Sequence, residues 1–213
     1  GMRMRPLTYE LPKALLKIKG KPIIDYIFEA LPVEITEVIV VVKHLDHKIK
    51  EYLGEEFKGR RVRFIEGSEK GTAYSFLAAR PFMGNGNFLF IYGDELINPQ
   101  DVINCLKKEL SIVVFDSSNP MLHGIATFRS DGTLEEIVEK PRDPKTRVAV
   151  DGIMVLNEKI FDYQPKPNDK GEYYFTSMLD QFVKDYRVWP VSSVKFIGDV
   201  TSPEDIKRLE KLI

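Results

Sequence analysis

Apolar residues along the chain follow two alternating patterns. Short runs rich in β-branched and aromatic residues, such as Glu37 to Val42 and Asn87 to Tyr92, predict buried strands. Between such runs, Pro22 to Ala30 carries apolar residues at helical spacing, with Ile23, Tyr26 and Ile27 on one face. This alternation is typical of βαβ units, so the first half of the chain predicts a doubly wound α/β domain.

The same patterns predict the other elements of the chain. Further helices are expected over Asp46 to Leu53, Thr72 to Ala79, Phe175 to Lys184 and Pro203 to Lys211. Further strands are expected over Val62 to Glu66, Ser111 to Phe115, Gly124 to Phe128, Leu134 to Glu139, Gly152 to Leu156 and Val194 to Ile197. The strands after Leu110 are closely spaced, which favours antiparallel or mixed pairing and a substrate lid. The opening segment through Lys21 is polar and interrupted by prolines, so it predicts a loop with no strand before it.

Composition limits the kinds of partner. The chain has 213 residues, of which 43% are apolar, and this suits a single α/β domain. Lysine and arginine (31) nearly balance aspartate and glutamate (32), so no overall field favours nucleic acid or a membrane surface. No apolar run approaches the length of a membrane helix, and the N-terminus lacks an apolar signal core. Cys105 is the only cysteine, which fits a reducing cytoplasm.

Two carboxylates follow apolar strands directly. In "FLFIYGDEL", Gly93-Asp94 follows the apolar strand, and in "VKFIGDVTSPED", Gly198-Asp199 does the same. Open α/β folds bind ligands at the carboxyl ends of strands, and Mg²⁺ prefers a few carboxylates together with phosphate oxygens and water. The pair therefore indicates a magnesium and phosphate site. The alternative is that each aspartate caps the turn or helix that follows it.

Other candidates are weaker when taken alone. The opening segment carries six cations that could meet a polyphosphate or could simply be solvated: Arg3, Arg5, Lys13, Lys17, Lys19 and Lys21. Gly71-Thr72 begins a predicted helix, where a base or ribose could approach the backbone, or where Thr72 could act as an N-cap. Glu139-Lys140 could meet sugar hydroxyls and a phosphate. Glu172, beside a tyrosine cluster expected to pack, could join a sugar pocket.

Several enzyme classes lack support in the sequence. The chain contains no G-x-G-x-x-G, no G-x-x-x-x-G-K-[ST], no G-x-S-x-G and no H-E-x-x-H. His44, Asp46 and His47 are expected to form an exposed helix start, because no further metal ligand follows at a useful spacing. Cys105 is expected in the core of an amphipathic helix.

The order of motifs resembles that of the sugar-phosphate nucleotidylyltransferases. The opening "RMRPLTYELPKALLKIKGKPIIDY" is followed by "GTA", "YGDEL", "HGIATF", "VEKP", "VDGIMVL" and "FIGDVTSPEDI", which together span nearly the whole chain. The resemblance implies a Rossmann-like three-layer α/β/α fold with a mixed, mostly parallel sheet. It implies a single domain over residues 1–213, with a nucleotide-binding half (1–110) and a sugar-binding half (111–213).

The resemblance also implies an activity and the residues for it. Family members transfer a nucleotidyl group from an NTP to a sugar 1-phosphate, with Mg²⁺, and release pyrophosphate. Arg3 and Lys13 resemble the catalytic cations, and Asp94 and Asp199 resemble the metal pair. The positions that resemble nucleotide contacts are Gly1, Glu66, Gly71 and Thr72. The positions that resemble sugar contacts are Gly124, Glu139, Lys140, Val150, Gly152 and Glu172.

The sequence also departs from the family pattern. The family's first strand and the start of its Gly-rich loop would precede Gly1, Met2 stands where threonine is usual, and Glu66 replaces a common glutamine. The expected sheet therefore lacks its first strand. Two alternatives stay open beside the sugar nucleotidylyltransferase: a degenerate member that binds nucleotides or sugar nucleotides without turnover, and a phosphocholine cytidylyltransferase. The base, the sugar and the oligomeric state are not readable from these motifs.

Overall fold

A computed structural model describes Met4 and residues 6–168, 170–196, 198–200 and 202–211. Its helices are α1 (Ile23–Ala30), α2 (Asp46–Leu53), α3 (Thr72–Leu77), α4 (Pro99–Leu106), α5 (Thr176–Asp185) and α6 (Pro203–Glu210). Its strands are β1 (Lys17–Ile18), β2 (Lys21–Pro22), β3 (Glu37–Val42), β4 (Glu56–Phe57), β5 (Arg60–Glu66), β6 (Asn87–Ile91), β7 (Glu95–Leu96), β8 (Ser111–Asp116), β9 (Gly124–Phe128), β10 (Leu134–Glu139), β11 (Val148–Asn157), β12 (Trp189–Ser192) and β13 (Gly198–Asp199). Within these residues, no helix is long and apolar enough to cross a membrane.

The larger sheet has six strands in the order β10-β9-β11-β8-β12, with β6 also paired to β11. Strand β11 is its longest member and runs antiparallel to β6, β8 and β9. The register between β11 and β8 shifts between Val150 and Met154, so residues 151–153 form an irregularity in the middle of the strand. Such irregularities redirect side chains and occur often next to active sites.

The smaller sheet contains three strands in the order β3-β5-β4. Its central pair, β3 and β5, is parallel. Val38 and Val40 of β3 pack against the same cluster of apolar residues as Leu89 and Ile91 of β6. The two sheets therefore share a layer, although β3 and β6 do not pair with each other in the described chain.

Helices cover both faces of these strands, as the α/β pattern predicts. On one face, α5 and α3 enclose an aromatic core in which Phe76 stacks on Phe161 with ring centroids 4.6 Å apart. On the other face, α1 and α4 bury Ile23, Ile27 and Cys105 against β11 and β8. Burial of these side chains contributes roughly 1.5–3 kcal/mol for each large aliphatic or aromatic residue.

Most of the predicted elements are confirmed. Four of them, β3, α2, β9 and β10, have the predicted bounds, and the strands after Leu110 are antiparallel or mixed as expected. The sheet is mixed, but parallel pairing among the described strands is limited to β3 with β5 and β8 with β12. The balance lies on the antiparallel side because β11 runs opposite to all three of its neighbours.

Two predictions about local structure are wrong. The predicted strand Val194 to Ile197 is absent over residues 194–196, between β12, which ends at Ser192, and β13, which begins at Gly198, and Ile197 lies outside the described residues. Buried Asp101 accepts hydrogen bonds from the Ser193 hydroxyl (2.6 Å) and the Val194 amide (2.8 Å), which takes this backbone out of the sheet. The opening segment also contains a hairpin, β1–β2, whose turn residues Lys19 and Gly20 both have positive φ.

Candidate active site

The predicted phosphate end of the candidate site pairs a lysine with a carboxylate. Lys13 begins a short 3-10 turn after Pro12, and Asp94 follows β6 through Gly93. The Lys13 Nζ lies 2.6 Å from Asp94 Oδ2, with 19% and 47% of the two side chains exposed. Residues 81 positions apart thus present a cation and an anion together at the surface. The two motifs "PK" and "YGD" of the sequence are brought into contact.

The second carboxylate of the predicted metal pair enters from β13. This strand pairs with β7, so that Asp199 stands opposite Glu95 and Gly198 opposite Leu96. The Val200 amide donates to the Asp94 carbonyl (3.4 Å). The backbones of Asp94 and Asp199 are therefore neighbours, while the Asp199 side chain lies outside the described part of the chain.

The donors predicted at this end, Asp94 and Asp199, are of the type that suits magnesium better than a transition metal. The described residues contain no group of three or more His, Cys, Asp or Glu side chains placed to hold a metal ion. A pair of carboxylates completed by phosphate oxygens and water is the kind of ligand set that Mg²⁺ uses. The predicted pair, of which the structure describes the Asp94 side chain, would therefore fit a metal that arrives together with a polyphosphate.

The predicted sugar end of the candidate site is centred on Glu139 at the end of β10. Its Oε2 accepts a hydrogen bond from the Thr176 hydroxyl (2.8 Å) at the start of α5. Gly124 lies opposite Glu139 in the β9–β10 ladder. A Cβ added to Gly124 would lie 3.0 Å from Val150, 3.2 Å from Thr176 and 3.5 Å from Glu139. The structure thus brings together three residues predicted to contact the sugar, namely Gly124, Glu139 and Val150.

A chain of polar contacts extends this group to Glu172. Lys140 Nζ lies 3.1 Å from Glu139 Oε1 and 4.6 Å from the centre of the Tyr174 ring. The Tyr174 hydroxyl donates to Glu172 Oε2 (3.0 Å). Burial lowers the pKa of Lys140, but the Glu139 charge and its hydrogen bond, followed by the tyrosine, more than offset this and raise it overall. Lys140 therefore stays a cation at neutral pH, beside two carboxylates.

Two residues near Gly152 were not predicted from the sequence. Tyr92 donates its amide to the Gly152 carbonyl (3.0 Å), and Glu95 lies directly against the Gly152 backbone. A Cβ at Gly152 would collide with the Glu95 carboxylate and come within 2.7 Å of the Tyr92 ring. Burial, then the charges of Glu95 and Glu139, raises the pKa of Tyr92, so its hydroxyl stays protonated. The sequence signal that could have identified Tyr92 and Glu95 is their position on either side of Gly93-Asp94.

The predicted nucleobase end surrounds the start of α3. Glu66 is exposed at the end of β5, five residues before Gly71. Gly71 has φ +124°, and a Cβ there would lie 2.5 Å from the Tyr173 carbonyl oxygen, so only glycine fits. Thr72 makes no capping bond; its hydroxyl oxygen instead accepts from the Phe175 amide (3.0 Å). Gly71, not Thr72, is the N-cap residue.

The remaining residues singled out in the sequence lie away from these three groups or outside the described residues. Gly1 and Arg3 lie outside the described residues. Lys21, one of the six opening cations, pairs with Glu29 at 2.5 Å on α1. His47 and Asp46 begin α2, where Asp46 pairs with Lys50, as expected for an exposed helix start. Cys105 is fully buried, as predicted.

Comparison with known proteins identifies the family. A family model described as nucleotidyl transferase matches residues 1–200, and the chain belongs to this family. The resemblance inferred from motif order is therefore confirmed. A crystal structure of a putative glucose-1-phosphate thymidylyltransferase from Bacillus anthracis, in complex with a sucrose, superposes with a TM-score of 0.82. The alignment covers 99% of this chain and 90% of that chain at 23% identity, and it confirms the nucleotide-diphospho-sugar transferase fold.

Curated relatives carry related names. The chain is 31% identical over 216 residues to the bifunctional sugar-1-phosphate nucleotidylyltransferase/acetyltransferase of Sulfurisphaera tokodaii, covering 99% of this chain and 52% of that protein. It is 30% identical over 217 residues to the bifunctional protein GlmU of Methanocaldococcus jannaschii, covering 100% and 52%. The chain thus spans about half the length of these relatives. It is also similar to the UTP–glucose-1-phosphate uridylyltransferase AglF of Haloferax volcanii, at 24% identity over 99% of this chain and 91% of that protein.

Proposed function

We propose that the protein transfers a nucleotidyl group from an NTP to a sugar 1-phosphate, giving an NDP-sugar and pyrophosphate. The observation that carries the proposal is the arrangement of two chemically distinct ends. A lysine–carboxylate pair, Lys13 and Asp94, forms one end, and the Glu139–Thr176 group beside Gly124 forms the other. The names of the curated relatives support the same reaction class.

The chemistry needs little covalent participation from the protein. A phosphate oxygen of the sugar 1-phosphate attacks the α-phosphorus of the NTP, and the bond from that phosphorus to the bridging oxygen of pyrophosphate breaks. Negative charge then grows on the leaving pyrophosphate, so the main tasks are alignment and charge stabilisation. Lys13 is the described cation for this task, since its Nζ stands beside Asp94 at the end of β6. Arg3 is the second cation in this proposal.

The sugar end holds the acceptor in place. Glu139 accepts the Thr176 hydroxyl with one oxygen and faces Lys140 with the other, so its position is fixed before a substrate arrives. A fixed carboxylate is a strong acceptor for sugar hydroxyl groups. Lys140 can meet the phosphate or the sugar ring, because its amine stays charged. Gly124 and Gly152 bring backbone close to the sugar, and Glu172 orients Tyr174 at the rim.

Magnesium completes the proposed phosphate end. Asp94 and Asp199 would hold the ion, since the β7–β13 ladder sets their backbones side by side. When bound, Mg²⁺ orients and polarises the phosphate oxygens at the reacting phosphorus. Lys13, already paired with Asp94, keeps positive charge at the same point. Glu66, Gly71 and Thr72 would receive the nucleotide on the neighbouring side.

The test is pyrophosphate release from four NTPs paired with a panel of sugar 1-phosphates, with and without Mg²⁺. UTP and dTTP with glucose 1-phosphate belong in the panel because of the names of the relatives. We expect release only with both substrates and Mg²⁺, and loss of release in Asp94→Asn and Asp199→Asn. Nucleotide binding without release by any pair would support a non-catalytic binding protein, and release from CTP with phosphocholine, but with no sugar 1-phosphate, would support a phosphocholine cytidylyltransferase.

A further inference from the structure

The start of α3 and the segment before α5 are joined by several contacts. These elements lie on the predicted nucleotide and sugar sides, more than 100 residues apart in sequence. The Ala73 amide donates to the Tyr173 carbonyl (3.1 Å), and the Phe175 amide donates to the Thr72 hydroxyl oxygen (3.0 Å). The positive φ of Gly71 lets the Tyr173 carbonyl approach this closely.

Aromatic packing reinforces the same junction. The rings of Tyr74 and Tyr173 meet edge to face with centroids 5.1 Å apart. The rings of Phe76 and Phe175 lie 4.2 Å apart, and Phe175 is 1% exposed. Residues 173–175 are thus tied to α3 by both backbone and side-chain contacts, so a shift of one side carries the other with it.

Two threonine hydroxyls connect this junction to Glu139. Thr72 accepts the Phe175 amide, and the next residue, Thr176, donates its hydroxyl to Glu139 Oε2 (2.8 Å). Because Phe175 and Thr176 are consecutive, the position of the Phe175 backbone sets the position of the Thr176 hydroxyl. The Glu139 carboxylate is in turn held by that hydroxyl on one oxygen.

We propose that Thr72 is a positioning residue for the sugar pocket: its hydroxyl oxygen fixes the Phe175 backbone and, through Thr176, the orientation of Glu139. This inference rests on the proposed function. It assigns to a residue on the nucleotide side an effect on sugar 1-phosphate affinity. The hydroxyl hydrogen of Thr72 is not used in the bond to Phe175 and is free to meet the nucleotide. One side chain thereby links selection of the two substrates.

The distinguishing variants are Thr72→Val, which removes the acceptor at nearly constant shape, and Thr72→Ser, which keeps it. Loss of one ordinary hydrogen bond corresponds to roughly a fivefold effect. We expect Thr72→Val to raise the KM for the sugar 1-phosphate about fivefold, and Thr72→Ser to restore most of that affinity. Thr176→Val should have a similar effect on the same KM.

A double-mutant cycle tests whether the two hydroxyls act in one chain. If Thr72 acts through Thr176, the effects of Thr72→Val and Thr176→Val on the sugar KM will be clearly less than additive. Full additivity would overturn the inference. So would a Thr72→Val variant in which only the KM for the NTP rises.

Amide hydrogen exchange separates this inference from the proposed function. The Phe175 amide should exchange faster in Thr72→Val than in the wild-type chain, and near the wild-type rate in Thr72→Ser. This readout needs no turnover. If no substrate pair reacts, the proposed function fails, while the exchange rate still decides whether Thr72 holds Phe175. An unchanged rate in Thr72→Val overturns the inference in either case.

Discussion

The sugar end of the candidate site stands on β9, β10 and β11, strands of five to ten residues, whereas the phosphate end stands on β7 and β13, which pair over two residues. At the sugar end, Glu139 is held by Thr176 and Lys140, and α5 packs across β10 from the same side. At the phosphate end, one ion pair joins Lys13 to Asp94, and the two-residue β7–β13 ladder with the Val200–Asp94 backbone hydrogen bond holds Asp199 beside Asp94.

The sugar end is therefore held mainly by strand pairing and packing, whereas the phosphate end carries mainly exposed charge. In the proposed function, long ladders and a packed helix fix the proposed sugar pocket before any ligand binds, which would favour discrimination between sugars by geometry. The phosphate end carries exposed charges on short elements, and exposed ion pairs contribute little to folding stability. Changes at the phosphate end should therefore affect turnover with little effect on stability, whereas changes beneath the sugar end should affect both.

The largest expected effect comes from the phosphate end. Replacing Asp94 by Asn removes the partner of Lys13 and one of the two proposed magnesium ligands. Pyrophosphate release should fall by a factor on the order of 10² to 10⁴, in line with losses of charged groups that act on the transition state. The urea unfolding midpoint should change little, because nearly half of the Asp94 side chain is exposed.

Asp116→Asn is the matched control for this variant. Asp116 is also an exposed aspartate at a strand end with a cationic partner, Arg147 at 3.2 Å, but it lies outside the proposed site. Equal losses of pyrophosphate release in the two variants would contradict the assignment of Asp94. A large drop in the unfolding midpoint of Asp94→Asn would erase the contrast between the two ends.

The next effect in size comes from crowding the β11 irregularity. In Gly152→Ala, the new methyl group collides with Glu95 and Tyr92, and overpacking of this kind costs typically 1–3 kcal/mol. We expect both a lower urea midpoint and weaker binding of the sugar 1-phosphate, since Gly152 lies in the strand that carries Val150. Gly84→Ala is the control, because nothing lies within 4 Å of the Cβ position there. A stable, fully active Gly152→Ala would show that this end tolerates shape changes.

The apolar pattern of the sequence predicted the longer helices and strands well, and the order of the motifs predicted the family. β3 has an apolar run of five residues after Glu37, and in β10 apolar residues lie between glutamates, which was enough to place Glu139 at the end of a strand. Asp94 could be placed for the same reason. The family then followed from the order of seven motifs, none of which was specific alone.

Other features depended on contacts between residues far apart in sequence. The Lys13–Asp94 pair joins residues 81 positions apart, and the Thr72–Phe175 bond joins residues 103 apart. No local pattern reports such partners. The strand predicted from Val194 is wrong for this reason. Its apolar residues favour a strand locally, but buried Asp101, far away in the sequence, binds Ser193 and Val194. β12 was not predicted because Pro190 interrupts its strand pattern. A proline is tolerated in this strand because β12 lies at the edge of the sheet.

Asp101 also gives a test of how the short phosphate end is held. It is 1% exposed and anchors Ser193 and Val194, which lie six and five residues before Asp199. Asp101→Asn exchanges one acceptor for a donor and should lower the unfolding free energy by about 1–3 kcal/mol. It should also raise the Mg²⁺ concentration needed for half-maximal pyrophosphate release, since the segment leads into β13.

Ser193→Ala is the comparison for Asp101→Asn, because it removes one of the two hydrogen bonds and leaves the carboxylate in place. A smaller shift in both the urea midpoint and the Mg²⁺ dependence is expected. An Asp101→Asn variant that loses stability without any change in Mg²⁺ dependence would show that β7 alone fixes the position of β13.

The smallest expected signal comes from Cys105, which lies in the apolar cluster between α4 and β11, with its thiol next to Ile153, the residue after Gly152. Its thiol lies 2.8 Å from the Ser111 hydroxyl, and burial, only partly offset by that hydrogen bond, raises its pKa to about 11. The folded chain thus keeps a proton that the unfolded chain releases near pH 9, so this group's contribution to stability falls as the pH rises from 9 to 11. At pH 8, a thiol reagent should react with Cys105 only when the core opens. Its rate should be unchanged in Asp94→Asn and higher in Gly152→Ala, whereas faster modification in Asp94→Asn would show that the two ends share one unit of stability.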